Sequence, residues 1–155
     1  SNYILRQANA AVISMEDVSV TGAQEIRGKT LNSMATISAR QFTVDETNSG
    51  TVNLTIRGQD ADNPGGFTTS SYNISNRTRT TASVNWSPAS WTSRGVAGAD
   101  QRTPNIASVV QEIVNRSGWS SGNSMVMIVT GTGERTAESY NGSSSQAPLL
   151  VVTYE

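Results

Sequence analysis

The clearest hydrophobic pattern in the chain is an apolar stripe between Thr103 and Trp119. Its apolar residues recur at intervals of three and four, the spacing of one helical face, and they are Ile106, Val109, Val110, Ile113 and Val114. Thr103 stands where an N-cap belongs, and Pro104 follows at the first helical position, where its missing N–H is not needed. Gly118 provides a stop. The pattern predicts one short amphipathic helix over residues 104–116.

Elsewhere, apolar and polar residues alternate in short runs separated by polar turns. Residues 52–56 alternate with a period of two and are expected to form a hairpin with a strand at residues 35–44. The apolar run over residues 125–130 predicts a central strand that is covered on both faces. Residues 134–140 predict a polar strand, and residues 149–154 predict the last one. The sequence therefore predicts a single all-β domain over residues 1–155, a jelly-roll-like β-sandwich with one helix.

The N-terminal residues 1–20 form an apolar arm that has two interpretations. Ala10–Met15 alternates as a strand would, and the simpler interpretation is an edge strand of the chain's own sheet. The other is a strand donated to a neighbouring copy, because an extended segment can add to an exposed sheet edge. Self-association through residues 1–15 would then build a filament, since head-to-tail donation does not close on itself.

The composition narrows the classes of function. The 155 residues carry a formal net charge of −1, which argues against nucleic-acid binding, and the longest apolar run is too short to span a membrane. The absence of cysteine and histidine removes thiolate chemistry, imidazole metal ligands and the Ser-His-Asp triad. Abundant serine, threonine, asparagine and glycine, with almost no lysine, is typical of secreted all-β proteins and indicates an extracellular or cell-surface location.

The C-terminal half, residues 80–155, carries a recognisable order of motifs. TASVNW and SPASW precede the helical stretch, and SGNSMVMIVTGTGERTAESYNG and APLLVVTY follow it. This half resembles bacterial extracellular modules of the DNRLRE or disaggregatase-related type, which are similar to a carbohydrate-binding module family. The resemblance implies a β-sandwich that acts without catalysis, beside enzymes or in surface proteins.

We therefore expect a non-catalytic extracellular binding or adhesion module, whose partner is a polysaccharide or a cell-surface glycan. The alternative is a structural filament subunit assembled through the N-terminal strand. A glycosidase would need two carboxylates across a cleft, and spacing along the sequence says nothing about the distance between two acidic residues in space. A tyrosine-based polysaccharide lyase could use Tyr72 or Tyr140, but that class usually also employs histidine.

Three residues form the candidate ligand-binding set: Trp91, Arg135 and Tyr140. Trp91 follows Pro88 in a loop, where an exposed indole would stack on a sugar, whereas Trp86 continues a strand parity and is expected in the core. Trp119 is expected to make a hydrophobic contact after the helix. Arg135 would bind a carboxylated sugar, or pair with Glu112 or Glu138.

The long loop over residues 58–77 suggests a metal site. Asp60, Asp62 and Asn63 supply the hard oxygen ligands that Ca²⁺ prefers, so a structural Ca²⁺ is one possibility. The cluster lacks the bidentate glutamate of an EF-hand. Asx turns at a Pro-Gly-Gly corner explain the same residues without a metal.

Overall fold

The computed structural model describes residues 3–8, 10–15, 36–40, 42–120 and 122–153. The elements in these ranges are, in chain order, β1 (Tyr3–Ala8), β2 (Ala10–Met15), β3 (Thr36–Arg40), β4 (Asn53–Gly58), β5 (Val84–Trp86), α1 (Ala107–Val114), β6 (Met125–Thr132) and β7 (Leu149–Thr153). A single 3-10 turn, Ala99–Gln101, precedes the helix. The expectation of mostly strands with one short α-helix is confirmed for the described part of the chain.

The strands form two antiparallel sheets. The larger sheet has the order β1-β2-β6-β4-β5, and the smaller one pairs β3 with β7. β6 lies at the centre of the larger sheet, with Met15 of β2 opposite Met125 and Ile56 of β4 opposite Val129. The central position predicted for this apolar strand is confirmed.

The predicted hairpin between residues 35–44 and β4 is wrong. Ile37 of β3 lies opposite Val152 of β7, at the other end of the chain, and Val44 forms an isolated bridge with Ala137. That bridge is also the extent of strand pairing within residues 134–140, where a polar strand was expected. Alternation marks a segment as extended, but it does not select the partner, because pairing depends on which faces the whole core can bury.

The N-terminal arm pairs within the chain. β1 and β2 form an antiparallel pair, and β2 continues onto β6 with Val12 opposite Ile128. β1 thus lies at the edge of the chain's own sheet, as the simpler interpretation expected. Residues 16–20 of the predicted arm lie outside the described residues. Strand donation between chains stays a prediction.

The helix is shorter than its apolar stripe suggested. It begins at Ala107, because Asn105 Oδ1 accepts the Ala107 N–H at 3.0 Å and Ile106 has non-helical backbone angles. The predicted cap is wrong, since the Thr103 hydroxyl donates to the Pro104 carbonyl instead. The helix ends at Val114, so Arg116 lies beyond it. The stripe itself is confirmed, and its helical apolar residues are all buried.

The core lies between the larger sheet and the layer that contains α1. One apolar cluster joins Ile56 of β4 and Met127 of β6 with Ile113 of α1, and it includes Trp119 and Leu150. Close packing of α1 depends on Gly58, since a Cβ there would overlap the Ile113 side chain and lie 3.2 Å from Val109 Cγ1. Trp86 is buried as expected and stacks on Phe42 with ring centroids 5.5 Å apart.

β6 is buried on both faces over its first five residues. Met125, Met127 and Val129 face the main core, whereas Val126 and Ile128 on the other side lie under Phe67 and Ile74. Both covering residues come from the loop between β4 and β5. The prediction that this strand is covered on both faces is confirmed.

The first test concerns the docking of α1. Val110→Asp places a charge at a position that is 1% exposed, so it should lower the free energy of unfolding by about 3–5 kcal/mol. Ser108→Asp, on the exposed side of the same helix turn, should change it by less than about 0.5 kcal/mol. Urea titration of both variants measures the difference. Equal stability of the two variants would mean that the helix does not pack on the sheet.

Candidate functional site

The loop that covers β6 also forms an open pocket with a volume of about 460 Å³. Its lining includes an aromatic ring, a guanidinium group and several amide and hydroxyl side chains, and these residues are Gln59, Ser70, Ser71, Tyr72, Asn73, Asn76, Arg77 and Thr78. We call this surface the Tyr72 pocket. Among the residues that the structure describes, no carboxylate side chain lines it. Amides and hydroxyls both donate and accept hydrogen bonds, which suits a polyhydroxylated ligand.

Arg77 holds the loop in shape. Its Nη1 donates to Gln59 Oε1 at 2.7 Å and to the Gly65 carbonyl at 2.9 Å, and its Nη2 donates to the Gly66 carbonyl at 2.8 Å. The guanidinium also lies 4.5 Å from the centre of the Phe67 ring. Burial lowers the pKa of Arg77, but arginine remains protonated at neutral pH. One side chain thus links the start of the loop, its Gly-Gly corner and the ring that covers β6.

Tyr72 is the exposed aromatic residue of the pocket. The residue is 73% exposed, and its backbone has a φ of 63°, which is unusual for a bulky residue. The turn that holds it is closed by hydrogen bonds from Asn76 N and Ser75 Oγ to the Tyr72 carbonyl. A backbone conformation that costs free energy, combined with an apolar ring left in solvent, points to a functional role for this position.

Trp91 does not present an exposed indole. It is 2% exposed, its ring lies 6.2 Å from Phe42, and its Nε1 donates to the Asp100 carbonyl at 3.4 Å. The expectation of a stacking platform at Trp91 is therefore wrong. The indole is buried because the Trp91 backbone pairs with Asn48 through two 2.9 Å hydrogen bonds, which draws the loop onto the core.

Arg135 joins three loops through their backbones. Its guanidinium donates to the carbonyls of Gly50, Pro88 and Ala89 at 2.8, 3.2 and 3.0 Å. The expected ion pair with Glu112 is wrong, since that carboxylate accepts the N–H groups of residues 81 and 82. No ion pair with Glu138 appears among the described residues either. These bonds leave Arg135 occupied in positioning loops.

Tyr140, the third member of the predicted set, is half-buried in the turn at residues 140–142. Arg135 and Trp91 lie on loops that contact each other through the Arg135 bond to Ala89, but Trp91 is buried and the Arg135 guanidinium is bonded to loop carbonyls. Within the described part of the chain, no hydrogen bond or ring contact joins Tyr140 to either of them. The predicted set therefore does not form one exposed site in the described structure.

Asp60 and Asp62 already face a cation of the chain itself. Arg116 Nε donates to Asp62 Oδ1 at 2.7 Å, and Arg116 Nη1 forms an ion pair with Asp60. The hydrogen bonds from Arg116 to Asp62 and to Asp60 raise the pKa of Arg116. Asn63 Oδ1 is also engaged, since it accepts the Ser124 N–H. The described residues include no group of three or more acidic side chains placed to hold a metal, and the calcium hypothesis stays a prediction.

Sequence reasoning missed the Tyr72 pocket for a physical reason. Tyr72 and Arg77 both lie in the long loop, whose length was a visible sign of function. Whether a side chain of this loop points outward depends on turns that the guanidinium of Arg77 fixes. The alternation of apolar and polar residues along the sequence carries no information about these turns. The remaining signal was a tyrosine among serines and asparagines in that loop.

Comparisons of the chain with protein-family models, curated proteins and solved structures found no match. Within the described residues, no helix has the length and apolar character needed to cross a membrane. The function of the site is therefore inferred from its own residues.

The second test concerns the cation at Asp60 and Asp62. Arg116→Gln removes both ion pairs and should lower the melting temperature by no more than a few degrees, since solvent screens partly exposed pairs. Arg102→Gln, which removes a charge from an exposed arginine, should leave it unchanged. Scanning calorimetry with and without EDTA measures both effects.

EDTA should leave the melting temperature of the unaltered chain unchanged if Arg116 provides the positive charge. A decrease with EDTA that disappears in the double variant Asp60→Ala, Asp62→Ala would instead establish the calcium site.

Proposed function

We propose that this chain is a non-catalytic extracellular module, secreted or displayed at the cell surface, that binds polysaccharide or a cell-surface glycan in the Tyr72 pocket. The observation that supports the proposal most is Tyr72, a residue 73% exposed that lines a pocket together with amide and hydroxyl side chains. Sugars present apolar C–H faces that stack on aromatic rings and hydroxyl groups that need hydrogen-bond partners. The pocket offers both kinds of contact.

The pocket also supports binding without catalysis. Glycoside hydrolysis uses a pair of carboxylates on either side of the bond that breaks. The described residues that line the Tyr72 pocket are neutral except for Arg77, and the guanidinium of Arg77 donates to loop carbonyls and amide oxygens. Such a lining suits recognition of a glycan.

The proposal includes a jelly-roll-like sandwich and a relationship to the DNRLRE or disaggregatase-related modules. Its support is that two antiparallel sheets contribute to one apolar cluster, with Leu150 of β7 beside residues of β4 and β6. The apolar β6 and the terminal β7 are strands within the motifs that carry the resemblance. In modules of that type the loops of the sandwich are free to carry a binding site.

A filament subunit is the second candidate, and the β1–β2 hairpin at the edge of the larger sheet is the segment that it would exchange. The pairing recorded between these strands runs from Val12 to Met15, so the β1–β2 hairpin is held by a short ladder that an identical copy could replace. Native mass spectrometry at rising concentration tests exchange. Polymers that are lost when residues 1–15 are deleted would support a filament; a folded monomer at every concentration would exclude it.

The third test separates binding from folding at Tyr72. Tyr72→Gly removes the ring, and glycine accepts the φ of 63° without strain, so stability should stay constant or rise by up to about 1 kcal/mol. Retention should weaken by about tenfold or more in affinity gel electrophoresis against neutral, carboxylated and sulfated polysaccharides. Tyr72→Phe, which keeps the ring, should retain binding.

Trp91→Ala is the control for loss of folding. It leaves a cavity in the core, so it should reduce stability and retention together. Unchanged retention of Tyr72→Gly on every polysaccharide that binds the unaltered chain would refute the proposed site, and a chain retained by none of them would refute the function.

A further inference from the structure

We infer that the Tyr72 pocket continues onto the outer face of β4 and β6, and that its ligand is an anionic polysaccharide whose negative groups are bound by Arg57. This inference rests on the proposed function and specifies its ligand class. The surface concerned, which we call the outer polar face, consists of Asn53, Thr55, Arg57, Asn85, Thr130 and Thr132. The strand register places these six residues on one face of the sheet.

Alternation along β4 connects the pocket to this face. Leu54 and Ile56 face the core, so Asn53, Thr55 and Arg57 point to the other side. Gln59, which lines the pocket, continues the same parity beyond the end of the strand, and its N–H donates to the Val126 carbonyl at 2.8 Å. Arg57 thus stands between the pocket and the rest of the outer polar face.

The neighbouring strands extend the face sideways. Thr55 lies opposite Thr130 of β6 and opposite Asn85 of β5, and Asn53 lies opposite Thr132. Asn53, Asn85 and Thr132 are exposed, whereas the loop residues Phe67 and Ile74 cover β6 at Val126 and Ile128. The outer surface therefore changes from apolar and covered to polar and open along β6.

Hydrogen bonds within the face fix its amide groups. Thr55 Oγ1 donates to Asn85 Oδ1 at 3.1 Å, and Ser87 Oγ donates to Asn53 Oδ1 at 2.9 Å. Each bond uses the carbonyl oxygen of an asparagine and leaves its NH₂ group to donate elsewhere. These donors complement hydroxyl and carboxylate oxygens of a sugar chain.

Arg57 supplies the positive charge. It is half-buried, and no hydrogen bond or ion pair joins its side chain to another described residue. The other members of the outer polar face are neutral, and Asp60 and Asp62, a few residues further along the chain, are paired with Arg116. A guanidinium without a carboxylate partner suits a bidentate contact with a uronate carboxylate or a sulfate ester.

The length of the outer polar face suits a linear sugar chain as the ligand. At about 3.4 Å per residue, the distance from Gln59 to Asn53 along β4 is about 20 Å. The Tyr72 ring and the pocket lie at one end of this path, and Arg57 lies near the pocket end. A polysaccharide that stacks on Tyr72 would therefore pass Arg57 before it reaches Thr55 and Asn53.

The experiment compares polymers that share a backbone and differ in charge. Affinity electrophoresis uses polygalacturonate against its methyl ester for the carboxylate, and dextran sulfate against dextran for the sulfate ester. We expect the full chain to bind the charged member of one pair at least about tenfold more tightly, and the pair that responds identifies the anionic group. Arg57→Gln should remove most of this preference, and Arg57→Lys should restore part of it.

The control variant is Arg102→Gln, which makes the same change of net charge at an exposed arginine outside the outer polar face. It should keep the preference for the charged polymer. Equal losses in Arg57→Gln and Arg102→Gln, or tighter binding of the neutral member of both pairs, would overturn the inference.

If Tyr72→Gly abolishes binding while Arg57→Gln keeps the charge preference, the inference falls and the proposed function stands. If none of the four polymers binds, the inference falls; retention on other glycans then decides the function.

Discussion

Both faces of β6 must be buried, and much of the structure depends on how the chain achieves this. Met127 and Val129 on one face are covered by the main core, which requires α1 and the close approach at Gly58. Val126 and Ile128 on the other face need a second cover, which Phe67 and Ile74 provide. The same loop between β4 and β5 forms the Tyr72 pocket, so the candidate site lies on the segment that buries this strand. From Thr130 onward the strand is polar, and the cover ends.

Two arginines donate hydrogen bonds to backbone carbonyls that a helix or a sheet would otherwise satisfy. Arg77 binds carbonyls at residues 65 and 66, and Arg135 binds carbonyls at residues 50, 88 and 89. Loop carbonyls that lack a ladder partner need a donor, and a planar guanidinium provides several in a fixed geometry. This use of arginine accounts for the failure of Arg135 as a ligand candidate. Arg57, which has no such partner among the described residues, is the contrasting case that suits a ligand.

The sequence predicted those features that periodicity encodes. The buried stripe of α1, the double burial of β6 and the core position of Trp86 follow from repeats of 3.6 and 2 and from an apolar run. Strand partners did not follow, since β3 pairs with β7 more than a hundred residues away. Trp91 was misplaced because its burial depends on a backbone bridge to Asn48. Tyr72 was missed as a binding residue because its exposure depends on the turn that Arg77 fixes, whereas Arg57 could have been read from the outward parity of β4.

We propose that one surface, from Tyr72 to the outer side of β4 and β6, contacts a sugar chain. Chemical-shift mapping by NMR during titration with the best-retained polysaccharide tests it most directly. We predict that the largest changes fall on the Tyr72 ring, the Arg57 side chain and the methyl groups of Thr55 and Thr130, with the buried methyls of Val110 unaffected. Changes confined to the turns around Trp91, Arg135 and Tyr140, with none at Tyr72, would contradict the account.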